Sequence, residues 1–315
     1  MVGVFAGLLL PGAPPKPPDL WTLLSVAHNP IRPAAGRYSC KEDSVYDILV
    51  TNDDGVNAPG ILALATALRA LGNVEVVAPA SNQSACGHKR TVFQDILVED
   101  VPLADGTIAK AVAGSPSDCI ALAALGVATW PPRVIVSGIN RGQNMGQDVT
   151  YSGTVSAAFE AAIQGIPSVA VSLAQHDAGT VEDYVVAAQI AARVVAHVLQ
   201  RGLPPLSILN LNVPPGPYVK GIRLTRQGIS IYNDAVERDG DNYRVLWLST
   251  PGVMGHTDEE GTDLWAVHNG YASLTPLHLD MTAHRFLADL AAWDITITEV
   301  PPQDRDFDKE TAFQS

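Results

Sequence analysis

Cysteine is scarce in this chain. Its 315 residues hold three, Cys40, Cys86 and Cys119, scattered and odd in number, with no CxxC pair. That excludes a disulfide framework and a cysteine-based zinc site, and it predicts reduced thiols in a cytoplasmic protein. Positive charge is also short: 20 Lys and Arg against 33 Asp and Glu leave a formal net charge of -13. No basic tract of the kind that neutralises many phosphates occurs, so a nucleic acid polymer is excluded as a partner. A small anionic ligand stays open, because the charge inside a pocket can oppose the global sign. Every apolar stretch meets a Gly, a Pro or a charge before it could cross a bilayer, so no membrane span is expected. The opening "MVGVFAGLLLPGAPPKPP" lacks the basic start and the clear small-residue cleavage site of a secretory signal.

What is present reads in four parts. Residues 1–45 form a Pro- and Ala-rich extension without sustained periodicity, expected to be poorly ordered. Residues 46–214 alternate short apolar strands with helical patterns: "YDILVTN", "PGILALATALRALG", "NVEVVAPA", "PSDCIALAALGVAT", "PRVIVSGIN", "SGTVSAAFEAAIQGI", "PSVAVSL", "VEDYVVAAQIAARVVAHVLQRGL" and "LSILNLNVP". This β-α alternation predicts an α/β fold, a Rossmann-like, mostly parallel sheet with helices on both faces. Residues 215–300 change texture. "KGIRLTRQGISIYND" and "YRVLWLST" alternate like a solvated hairpin, and "AHRFLADLAAWDI" is a late helix. With too little core of its own, this C-terminal hairpin and helix region predicts a homo-oligomer. Residues 301–315 are a polar tail.

In a parallel sheet, ligands bind beyond the carboxyl ends of the strands. The first strand ends in Asn52, Asp53 and Asp54; the second leads into "ASNQSACGHKRT"; the strand "VIVSG" leads to Ser137, Asn140 and Asn144. Adjacent carboxylates repel unless something holds them. Neutral oxygen donors beside them suit one hard divalent cation, Mg²⁺ or Mn²⁺. Ser152, Gly153 and Thr154 open a helix, where outward N–H groups suit a phosphate, although helix capping uses the same groups. A cation beside a phosphate site predicts phosphoryl chemistry. His88, the one histidine assigned to a strand-end loop, is a candidate substrate contact or general acid with Lys89 and Arg90, against an exposed loop residue as the alternative. Asp118 is read as a first-turn helix acid, Cys86 is assigned no chemistry, and His256, His268, His278 and His284 are read as structural.

Several motifs are missing. An aspartyl-phosphate phosphatase needs an acid where Asn52 stands. An EF-hand needs Glu where Leu64 stands. There is no GxxxxGK[ST], GxSxG, HExxH or GxGxxG at the required place. Taken in order, "ILVTNDDGVNAPGI", "VVAPASNQS", "GSPSDC", "VSGINRGQNMG", "YSGTVSAA" and "GTDLWAVHNGYASLTPLHLD" resemble the SurE family of stationary-phase survival proteins, from Tyr46 to Trp293. The chain departs from the family in its long N-terminal extension and in "SACGHKRT". The resemblance implies a metal-dependent nucleotidase acting on nucleoside 5'- and 3'-monophosphates, with exopolyphosphatase activity in some members. It implies metal ligands Asp53, Asp54, Ser84 and Asn140, active-site surroundings at Asn144 and Ser152–Thr154, and a homodimer or homotetramer built by exchanged C-terminal segments. Asp53, Asp54 and Asn144 are the expected catalytic set. An exopolyphosphatase and a non-catalytic nucleotide-binding module are the alternatives.

Overall fold

The computed structural model describes residues 48–229, 235–246 and 259–293. The N-terminal extension and the polar tail lie outside them. A nine-stranded sheet runs through the molecule. Its strands are β1 (Ile48–Thr51), β2 (Val74–Pro79), β3 (Val98–Pro102), β4 (Ile108–Val112), β5 (Val134–Arg141), β6 (Ser168–Leu173), β7 (Ser207–Val213), β8 (Ile222–Leu224) and β11 (Ala272–His278). Their order is β3-β4-β2-β1-β5-β6-β7-β11-β8. The six central strands, β4 to β7, pair in parallel, while β3 and β11 join antiparallel. The expected α/β architecture is therefore present, and the sheet continues past residue 214 through β11 and β8.

Both sheet faces are covered. Alternate residues of one strand point to opposite faces. Ile48 and Val50 of β1 pack beneath α1 (Pro59–Leu68) and α4 (Val185–Arg201), while Leu49 packs toward α2 (Pro116–Leu122) and α3 (Gly153–Ile163). This double burial is why Ile48, Leu49 and Val50 of β1 read as an unbroken apolar run. Helix α1 lies very close to β5. A Cβ added at Gly60 would stand 2.2 Å from the carbonyl oxygen of Ile139 and 3.1 Å from the Tyr184 ring. Gly60→Ala is therefore expected to cost about 3 kcal/mol of stability, read from denaturant unfolding.

Two elements differ from the sequence expectation. The β3–β4 hairpin was not anticipated: β3 is an edge strand of sequence VEDVP, largely exposed, so it lacks the apolar run that marks the others. The C-terminal hairpin is real but pairs β9 (Ala235–Asp239) with β10 (Asn242–Leu246) around Gly240-Asp241, with Gly240 at φ +60°. A two-residue turn with glycine fixes that register. "GIRL", expected in the hairpin, instead supplies β8 at the sheet edge. The late helix is α6 (His284–Ala291), preceded by the short α5 (Asp263–His268). Among the described residues, no helix is long and apolar enough to cross a membrane.

Candidate active site

Strand β1 is followed by β2 on one side and pairs with β5 on the other. The chain direction across the sheet thus reverses at the end of β1, the place where such sheets open a crevice. The turn 52–55 fills it. Asn52, fully buried, closes the turn on itself: its Nδ2 donates to the Gly55 carbonyl (2.8 Å) and its Oδ1 accepts from the Gly55 N–H (3.2 Å). Gly55 takes φ +105°, which a side chain resists. Asp53 and Asp54 project from this clamp. They do not cap α1, whose N-cap is Ala58 with no side-chain bond.

Each acid is held by a different wall. Asp53 lies against the start of α3, where the Thr154 hydroxyl donates to its Oδ1 at 2.5 Å. Gly153 makes that approach possible: a Cβ there would fall 2.8 Å from Asp53 Cβ and 3.0 Å from Cys86 Sγ. Asp54 accepts the main-chain N–H of Arg141, at the end of β5, at 2.8 Å. The loop after β2 closes the near side, with the Gln83 N–H donating to the Asp53 carbonyl (2.7 Å) and the Val56 N–H to the Pro79 carbonyl (2.8 Å). Ser84 is exposed on this loop, one residue from that contact, and its own N–H donates to Asn82 Oδ1.

The remaining sequence candidates take distinct places. Asn140 donates through Nδ2 to the Gly142 carbonyl (2.8 Å), which directs its Oδ1 the other way, as an oxygen ligand requires. Asn144 is buried. Its side chain donates to the Ser172 hydroxyl, and its main chain is gripped by Asn210 and Asn212 of β7, so it anchors the loop from within. Ser152 caps α3, accepting from the Val155 N–H. Thr154 serves Asp53, and among the described residues the Gly153 N–H at the first position of α3 makes no hydrogen bond. His88 is tied to Glu160 of α3 (Nε2 to Oε2, 3.1 Å). Glu160 also takes Arg90 (2.7 Å), whose guanidinium lies 3.6 Å from Asp118. Glu160 stands six residues beyond Thr154, about 9 Å along the helix axis.

Three features were missed. Glu160 is a lone acid in the apolar stretch "AAFEAAI", and that isolation was its signal. Asp118 is more than a first-turn acid. It completes a capping box with Ser115 and also binds the N–H and hydroxyl of Thr91. Burial alone would raise its carboxyl, but the donated bonds from Thr91 and Ser115 outweigh that and hold it below the usual range. Nor is His88 the one histidine on a strand-end loop. His176 follows β6, and its ring lies against Gly142: a Cβ there would be 2.7 Å from its Cε1.

The electrostatics of the two acids point to a cation. Burial, and then the Asp54 charge, push the Asp53 carboxyl up to about 6 against the pull of Thr154. Burial raises Asp54 as well, offset in part by the N–H and the charge of Arg141. The two adjacent carboxylates are thus only partly compensated by positive charge. Among the described residues no group of three or more His, Cys, Asp or Glu could hold a metal ion. A cation at this place has two carboxylates and otherwise neutral oxygens, a donor set that fits a hard ion such as Mg²⁺ or Mn²⁺ and not a soft one.

The sequence profile of the family described as "Survival protein SurE" matches residues 48–234. The chain belongs to the SurE family. The 5'-nucleotidase SurE of Geobacter metallireducens is 46% identical over 253 residues, covering 78% of this chain and 97% of that protein. The 5'-nucleotidase SurE of Chloroflexus aggregans is 43% identical over 252 residues, covering 78% and 98%. The crystal structure of the SurE protein from Aquifex aeolicus is similar with a TM-score of 0.67 and 38% identity, covering 78% of this chain and 98% of that one. The SurE match spans the β1 turn, the β2 loop, the β5 loop and the start of α3, which together form the crevice.

Proposed function

We propose that this SurE chain is a phosphomonoesterase that hydrolyses nucleoside 5'-monophosphates, and 3'-monophosphates, to nucleoside and phosphate with one bound Mg²⁺ or Mn²⁺. The observation that carries the reading is the pair of buried, mutually repelling acids at the switch point of the sheet, beside the start of α3. Asp53, Asp54, Ser84 and Asn140 would hold the cation. A bound cation of this kind polarises a phosphoryl oxygen and lowers the pKa of a water it holds. Thr154 fixes the rotamer of Asp53, and the Arg141 N–H fixes that of Asp54. The Gly153 N–H, at the positive end of α3, faces the phosphoryl group. Asn144 keeps the β5 loop in place from beneath, a positioning role. His88 stands farther along α3, where a substrate's leaving group rather than its phosphorus would reach it.

The mononucleotide reading is preferred over polyphosphate because the basic loop is largely neutralised. His88 and Arg90 are matched by Glu160, with Asp118 also near Arg90, which leaves Lys89 for a longer anion. Phosphate release should be measured from nucleoside 5'- and 3'-monophosphates and short polyphosphates with Mg²⁺, Mn²⁺ or EDTA. Release from mononucleotides that EDTA abolishes is expected. Cation-dependent nucleotide binding without release would establish a binding module in its place. The proposed compartment is the cytoplasm, in keeping with the free thiols of Cys86 and Cys119. The proposed state is a homodimer or homotetramer, because Phe286, Leu287 and Trp293 near the C-terminus expose apolar surface.

A further inference from the structure

The crevice has a charge imbalance that the cation alone does not remove. Two ionised carboxylates and a phosphate dianion carry four negative charges against two positive ones. A nearby basic group would have to offset the remainder. His88 and Arg90 are matched by carboxylates. Lys89 lies on the β2 side and its charge reaches Cys86. Arg141 lies on the β5 side, next to Asn140. Its main-chain N–H binds Asp54 Oδ2 at 2.8 Å, its side chain is exposed, and it has no ion-pair partner among the described residues. Gly142, at φ +103°, then turns the chain beneath the His176 ring, so Arg141 stands at the rim of the crevice.

We infer that Arg141 is a further catalytic residue: its guanidinium takes the non-bridging oxygens of the substrate's phosphoryl group and stabilises them in the transition state. A planar fork of N–H donors matches two phosphate oxygens at once, which an ammonium group does not. The inference rests on the phosphomonoesterase reading. It also predicts a clean separation of roles, because the bond to Asp54 is made by the main chain. Removing the side chain leaves that bond, and hence the cation site, intact.

The test compares the full chain with Arg141→Ala and Arg141→Lys, using adenosine 5'-monophosphate and saturating Mn²⁺. Expected for Arg141→Ala is a loss in kcat/KM of about 100-fold, mostly in kcat. Arg141→Lys should recover part of it, and the Mn²⁺-induced rise in Tm should match that of the unaltered protein in both variants. A kcat/KM within about threefold of the unaltered protein, or a loss of activity accompanied by a lost Mn²⁺ shift, would overturn the assignment. If the unaltered protein releases no phosphate, the nucleotidase reading fails by itself. The Arg141 contact is then judged by calorimetric binding of inorganic phosphate to the Mn²⁺-loaded protein: a weakening of about tenfold in Arg141→Ala upholds it, and equal affinity refutes it.

Discussion

Asp53→Asn is expected to lower phosphate release by about 1000-fold or more while making the metal-free protein more stable. The two effects have one cause. Cation stabilisation of transition-state charge contributes several kcal/mol, and each 1.36 kcal/mol is a factor of ten in rate. An amide in place of Asp53 removes one of the two carboxylates proposed to hold the cation. In the metal-free fold, however, the Asp53 charge is a liability. Burial and the Asp54 charge lift its carboxyl to about 6 despite the Thr154 hydroxyl. Ionisation at neutral pH therefore costs the folded state on the order of 2–3 kcal/mol. Asparagine is nearly isosteric, keeps an oxygen for the Thr154 hydroxyl and carries no charge. For a domain of this size the gain corresponds to a Tm rise of about 5 °C without added cation. Calorimetry in EDTA beside a phosphate-release assay in Mn²⁺ checks both halves. A variant as active as the unaltered protein would remove Asp53 from the cation site. A variant of lowered metal-free Tm would mean the Thr154–Asp53 contact stabilises more than burial of the charge costs.

The legible part of this molecule is the part encoded locally. Strands β1 and β5 stood out because burial on both faces demands apolar residues, and each leads directly into polar ones, Asn52 to Asp54 and Asn140 to Arg141. The adjacency of Asp53 and Asp54 was visible for the same reason, since like charges side by side at a strand end need an explanation. Tertiary partners were hidden. Thr154 lies 101 residues from Asp53, and nothing in "YSGT" separates a cap from a hydroxyl aimed at a distant acid. Asn52 illustrates a role misread but readable. It was read only as one of the polar residues at the strand end, yet an Asn three residues before a Gly is the pattern of a side chain that closes a turn. The basic loop "HKR" suggested an anion site, and the buried Glu160 that neutralises much of it arrives from a helix some 70 residues on. The β3–β4 hairpin escaped because an exposed edge strand carries charge and proline where a central strand carries valine.

The stability of the metal-free protein should fall as pH rises from 5 to 7, and a divalent cation should reverse that trend. The sign follows from Asp53. Its carboxyl titrates near 3.8 when unfolded and at about 6 when folded. Between those values the folded state holds the proton that the unfolded state has lost, so raising the pH favours unfolding. The penalty grows by about 1.4 kcal/mol per pH unit up to 6 and is constant above it. Asp54, also raised, acts in the same direction. The opposing carboxylates lie outside this window. Burial raises Asp118 and Glu160, but Thr91 and Ser115 for the first, and His88, Gln164 and Arg90 for the second, outweigh it and hold both below their ordinary values of 3.8 and 4.5. Their stabilisation is present throughout the range and is lost only on further acidification. A cation binds the ionised form, so its apparent affinity drops about tenfold for each pH unit below 6, and the Tm shift it produces shrinks accordingly. Thermal unfolding at pH 5, 6 and 7, in EDTA and in Mn²⁺, measures both slopes. Asp53→Asn should flatten the metal-free slope and abolish most of the Mn²⁺ effect at every pH. Parallel slopes in EDTA and Mn²⁺ would show that the paired acids do not hold the cation.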